Sequence, residues 1–86
     1  MNMSKSTQWY LANHGWRPTV NPNEMLKLYD GYVGTLRFSE DGHTLWLWSV
    51  WLTDSLPIRF GQCRYPEMAS KQCDSAVLEL PSPAGV

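Results

Sequence analysis

The stretch Met25-Leu26-Lys27-Leu28-Tyr29-Asp30-Gly31-Tyr32-Val33-Gly34-Thr35-Leu36-Arg37-Phe38 sets two runs of period two on either side of Asp-Gly. Asp-Gly between alternating apolar runs is the strongest short-range hairpin signal, because both residues tolerate positive φ and the two-residue turn matches the twist of the strands. The turn puts Tyr29 opposite Tyr32. Downstream, Ser39-Glu40-Asp41-Gly42-His43 has the composition of a type I turn over Glu40 and Asp41 with Gly42 as a left-handed bulge. That turn sets Ser39 opposite His43, and Gly34 opposite Trp48. A strand over 44–52 follows, then a loop over 53–57 and a fourth strand over 58–62, kept at the sheet edge where Pro57 interrupts pairing.

These turns decide which side chains share a face, since a slip of one residue exchanges the two faces. One face collects Met25, Lys27, Tyr29, Tyr32, Gly34, Leu36, Phe38, Trp46 and Trp48; the other collects Leu26, Leu28, Val33, Thr35, Arg37, Leu45, Leu47 and Trp51. The first holds most of the bulk. Its natural cover is a C-terminal helix over 66–80, where Ala69, Cys73, Ala76, Val77 and Leu80 recur at three-and-four spacing while Lys71, Asp74, Ser75 and Glu79 face water. Pro66 suits the first helical position, Glu67 suits the positive first turn, and Pro81 and Pro83 stop the helix. The Leu-rich face has three candidate covers: an N-terminal helix with Trp9 and Leu11, a second copy of the chain, or another partner. Left bare, Leu28, Leu45, Leu47 and Trp51 mark an interface with Arg37 at its rim.

Towards the N-terminus, residues 6–14 lack Pro and Gly and are followed by Gly15, which reads as a short helix with a left-handed stop. Residues 15–24, with Pro18 and Pro22, read as a surface connection. Beyond the C-terminal helix, 82–86 reads as a tail. The expected architecture is α+β: a three- to four-stranded antiparallel sheet in one domain over 1–86, its ordered core about 6–80, with a C-terminal helix on one face and a short N-terminal helix.

With 86 residues there is room for a single small core, and the five Trp, four Tyr and two Phe supply it economically. Seven Lys and Arg balance eight Asp and Glu, so the charge advertises neither a basic nucleic-acid binder nor an acidic mimic. The longest nearly apolar run, 45–52, is far short of the ~20 residues that span a bilayer, and the start has no leader-like apolar segment. A soluble cytoplasmic protein is expected, without membrane contact. Cys63 and Cys73 read as two small buried thiols more readily than as one disulfide.

The order helix, three strands, helix resembles a double-stranded-RNA-binding domain, and 61–73 can be laid along that family's last loop and helix with Ala69 and Cys73 at its small positions. The lysines that family presents to phosphates fall here on Tyr65, Pro66 and Glu67. The Trp46-Leu47-Trp48-Ser49-Val50 segment, Gly61, and the Glu67-Met68-Ala69 helix start are also similar to short phage and mobile-element proteins of the anti-CRISPR type and to integrase arm domains. That resemblance implies an inhibitor that occupies a protein surface.

No motif of known chemistry is found. His14, His43, Cys63 and Cys73 are spaced as singletons, unlike zinc ligands, and a nucleophile at Cys63 or Ser55 would depend on His43, which falls in a turn. No cofactor or metal is expected. The leading expectation is a non-enzymatic binding module for a host protein or a second copy. The alternative is nucleic-acid binding through Arg37, Arg59 and Arg64 with exposed aromatics. The candidate binding residues are Leu28, Arg37, Leu45, Leu47, Trp51, Arg59 and Arg64.

Overall fold

The computed structural model describes residues 3–39, 45–52 and 56–81. Helix α1 (Lys5–Ala12) is followed by β1 (Arg17–Pro18), β2 (Glu24–Leu28), β3 (Tyr32–Ser39), β4 (Leu45–Leu52), β5 (Pro57–Cys63) and helix α2 (Pro66–Glu79). The five strands form one antiparallel sheet in chain order, and α2 packs against it. The fold is α+β, as expected, with one strand more than the sequence reading allowed.

That strand is β1. The connection over 15–24 contains a two-residue pairing, Arg17 with Leu26 and Pro18 with Met25, at the sheet edge where the missing N–H of Pro18 is tolerated. Only the rest of the segment is a turn, held by Thr19 Oγ1 accepting from Asn21 N at 3.0 Å and Asn21 Oδ1 accepting from Asn23 N at 2.9 Å. Helix α1 starts at Ser4, whose hydroxyl accepts from Thr7 N at 3.2 Å, and Gly15 reverses the chain after it at φ +90°. Trp16 N then donates to Leu11 O at 3.0 Å, which turns the Trp16 indole into the core.

The Asp30-Gly31 hairpin forms with Tyr29 N donating to Tyr32 O at 2.8 Å and Gly31 at φ +86°. The second register differs from expectation by two residues. Ser39 pairs with Leu45 instead of His43, so Leu36 lies opposite Trp48 and Gly34 opposite Val50. Residues 40–44 of this turn and the 53–55 part of the next loop lie outside the described residues. A slip of two conserves parity, so each side chain keeps its face. The bare backbone beneath the Trp48 indole is therefore Gly61, its partner on β5, where a Cβ would come within 2.6 Å of Trp48 Nε1. Gly34 instead lies beneath Tyr29, Cys73 and Trp16.

Met25, Tyr32, Leu36, Trp46, Trp48 and Val50 are buried on the helix face, under Ala69 and Cys73 of α2. Ala76, Val77 and Leu80 pack at the edge of this core. Ser70 is buried, because Trp16 Nε1 donates to its hydroxyl at 2.9 Å. Asp74, expected to face water, is instead drawn into contact with Lys27 and Tyr29. Both cysteines are buried free thiols. Helix α1 packs beside α2 with Leu11 fully buried in the same core, whereas Trp9 is 71 % exposed. It does not cover the Leu-rich face.

Replacing Gly34 with alanine should destabilise the fold by about 1–3 kcal/mol, because the new methyl would lie 2.8 Å from Tyr29 and 3.0 Å from Cys73 in a site closed on both sides. Trp48→Ala should cost about 3–5 kcal/mol. Urea denaturation of the two variants measures both.

Candidate functional site

Strand alternation arranges the outer face, the one opposite the helices, in rows. Leu28, Val33 and Trp51 form one row; Leu26, Thr35, Ser49 and Phe60 the next; Glu24, Arg37, Leu47 and Gln62 a third. Leu45 continues the face beyond Leu47. Five candidate residues, Leu28, Arg37, Leu45, Leu47 and Trp51, thus share one surface. Leu28 is 67 % exposed and Phe60 76 %.

The centre of this face is polar and fixed. Thr35 Oγ1 and Ser49 Oγ are 2.7 Å apart, and Trp51 Nε1 donates towards both, at 3.4 and 3.3 Å. The half-buried indole is thereby folded back along its own strand over the middle of the sheet, its one polar atom satisfied. An aromatic held in place before contact loses little side-chain freedom on docking. Arg37 is exposed and stands between Glu24 and Leu47 in register. Glu24 accepts from Thr19 Oγ1 at 3.3 Å.

Arg59 and Arg64 do not join this surface. β5 borders β4 and not β3, and Arg59 pairs with Val50, which places it on the helix side with its guanidinium donating to Ile58 O at 2.7 Å. Arg64 lies in the exposed bend between β5 and α2. The three-arginine cluster considered from the sequence is therefore not formed: two strand spacings, about 9–10 Å, separate β3 from β5, and the side chains leave opposite faces.

A second polar assembly ties β2 to α2. Asp74 Oδ1 accepts from Lys27 Nζ at 2.9 Å and from Tyr29 OH at 2.5 Å, while the same phenol lies 3.6 Å from Cys73 Sγ. Lys27 Nζ is also 5.1 Å from the Tyr29 ring centroid and 5.9 Å from that of Trp16. Burial raises the Cys73 thiol from its ordinary 9.0 to about 11, and burial followed by the Asp74 hydrogen bond raises the Tyr29 phenol further. Burial also raises Cys63. A thiol held protonated and fully buried is not an activated nucleophile. The assembly is a tether. Among the described residues no three His, Cys, Asp or Glu side chains converge in a metal-binding group, and no helix is long and apolar enough to cross a membrane. His43 and Ser55, weighed from the sequence as reactive groups, lie outside the described residues.

Three contributors escaped the sequence reading. Phe60 was not assigned a face, because no turn of known length fixes the register of β5 and a bulge interrupts it between Val50 and Trp51. Trp16 sits in a loop-like composition, and only its size signalled burial. Asp74 follows the buried Cys73 directly, and nothing local marks its partners 45 and 47 residues away.

The tether gives stability a pH dependence. The folded chain holds the Cys73 proton to about 11 while the unfolded chain releases it near 9.0, so the unfolded state binds fewer protons and stability falls as pH rises through that window. The loss from Cys73 should be on the order of 2 kcal/mol. Denaturation midpoints from pH 8 to 11 measure it, and Cys73→Ala should flatten the slope.

Comparison with protein-family models, curated proteins and solved structures finds no match to this chain.

Proposed function

We propose that this chain is a small non-enzymatic protein-binding module whose partner presents a flat apolar surface to the outer sheet face. Leu28, Leu45, Leu47 and Trp51 make the contact, and Arg37 lies at its rim. The observation that carries this reading is the placement of both helices on one side of the sheet, which leaves Leu28, Leu47 and Phe60 exposed on the other. A face of eight-residue strands five strands wide measures at most on the order of 500 Å². Its apolar part, the Leu28, Leu45, Leu47, Trp51 and Phe60 side chains around the Thr35–Ser49 centre, is smaller than this and within the range of patches that monomers leave in water. It falls short of the ~800 Å² per side of a standard interface, so polar groups around the patch belong to the contact.

The similarity of the β4 segment and the α2 start to short phage proteins of the anti-CRISPR type supports inhibition as the outcome of docking. On this reading the chain occludes a surface of a host defence complex. Nucleic-acid binding is the weaker reading, because Arg37 and Arg59 occupy opposite faces and no phosphate track forms between them.

The test combines Leu28→Asp, Leu47→Asp and Trp51→Ala. The two aspartate variants alter exposed positions and should stay within about 1 kcal/mol of the parent in stability. Affinity capture from the native host with mass spectrometry should find a protein held by the parent and lost from both aspartate variants. Sedimentation distinguishes a second copy, whose association the same substitutions would abolish. A partner retained equally by all variants would overturn the proposal.

A further inference from the structure

The hydrogen-bond phase of the sheet can be followed from one turn to the far edge. Tyr29 N donates to Tyr32 O and Phe38 N to Asn23 O, so even-numbered residues of β3 point their backbone groups at β2 and odd-numbered ones at β4. In β4 the even-numbered residues then face β5, where they meet Arg59, Gly61 and Cys63. Phe60 and Gln62 consequently direct N–H and C=O away from the sheet, along an edge that ends the strand order. That edge is flanked by a groove of about 370 Å³ between β5 and α2, lined by Trp48, Arg59, Lys71, Ser75, Ala76 and Glu79.

We infer that β5 receives an extended peptide segment of another protein as a sixth strand, with acidic side chains at alternate positions entering the β5–α2 groove. Side chains of an added strand opposite Arg59 and Gly61 point to the helix side, and Gly61 contributes none of its own, so the Trp48 indole lying over it is what the newcomer meets. Among the charged groups lining the groove, Arg59 and Lys71 outnumber Glu79 and favour carboxylates. A second copy fits less well, because pairing β5 with another β5 lines up the arginines of both chains along one seam. A nucleic acid fits less well too, since a phosphodiester backbone has no N–H groups to pair with the outward carbonyls of Phe60 and Gln62. This edge borders the outer face at Phe60 and Gln62 but uses their backbone groups and the helix-side groove, so the inference does not rest on the reading above.

The probe is an acetylated octapeptide of alternating glutamate and valine, compared with its lysine-for-glutamate counterpart and with a thymidine octanucleotide. Titration at low salt followed by amide NMR should show new exchange protection at Phe60 and Gln62. Gln62→Pro removes an N–H that no β4 bond uses, and should abolish binding. Lys71→Glu, on an exposed turn of α2, should weaken the glutamate peptide about tenfold and reverse the preference between the two peptides. Trp51→Ala should leave peptide binding intact, which keeps this edge distinct from the outer face. No binding of the glutamate peptide, equal binding of both peptides, unchanged binding by Gln62→Pro, loss in Trp51→Ala, or capture of the oligonucleotide in the peptide's place would each overturn the inference.

Discussion

Close approach at Gly34 is the constraint from which the architecture follows. With no side chain there, Cys73 of α2, the Tyr29 ring and the Trp16 indole descend together onto the centre of the sheet. Once α2 is seated at this depth, Asp74 reaches Lys27 and Tyr29, Ser70 receives the Trp16 N–H, and Gln72 receives that of Trp48 at 2.9 Å. Trp16, Tyr29 and Trp48 thus each acquire a polar anchor on the same helix. The core is small, and hydrogen bonds between buried partners give it a single arrangement.

That seating also decides which surface faces water. Trp16 follows directly from the α1 turn, so its burial under α2 draws α1 to the helix side and away from the Leu-rich face. The chain spends its two helices on one side. The other side retains aliphatic side chains, one immobilised indole and an arginine, while Arg59, Arg64 and Lys71 lie around β5 and α2. Two surfaces of different chemistry result: a flat apolar one, and an edge with backbone donors and acceptors beside a cationic groove.

The sheet and its faces were legible because Asp30-Gly31 fixes parity locally, and parity survives even a two-residue slip at the next turn. The slip itself was not legible. A glycine within 39–43 suggested a three-residue loop, yet the pairing of Ser39 with Leu45 answers to Leu36 and Trp48 packing under α2, which no local pattern encodes. Five of the seven candidate binding residues share a face because they follow from that parity. Arg59 and Arg64 did not join them, since their placement depends on which strand β5 borders. The strand at Arg17–Pro18 was hidden by proline, a residue that weakens a strand everywhere except at an edge.

The hydrogen bond from Trp16 to Ser70 joins residues 54 positions apart, in a sheet whose strands otherwise pair only with their neighbours in the chain. Closing such a loop costs about 2 kcal/mol more in chain entropy than closing a four-residue turn. The meander is thus built from short-range pairings, and the fold concentrates its long-range closure in the few contacts that join α2 to the N-terminal third of the chain.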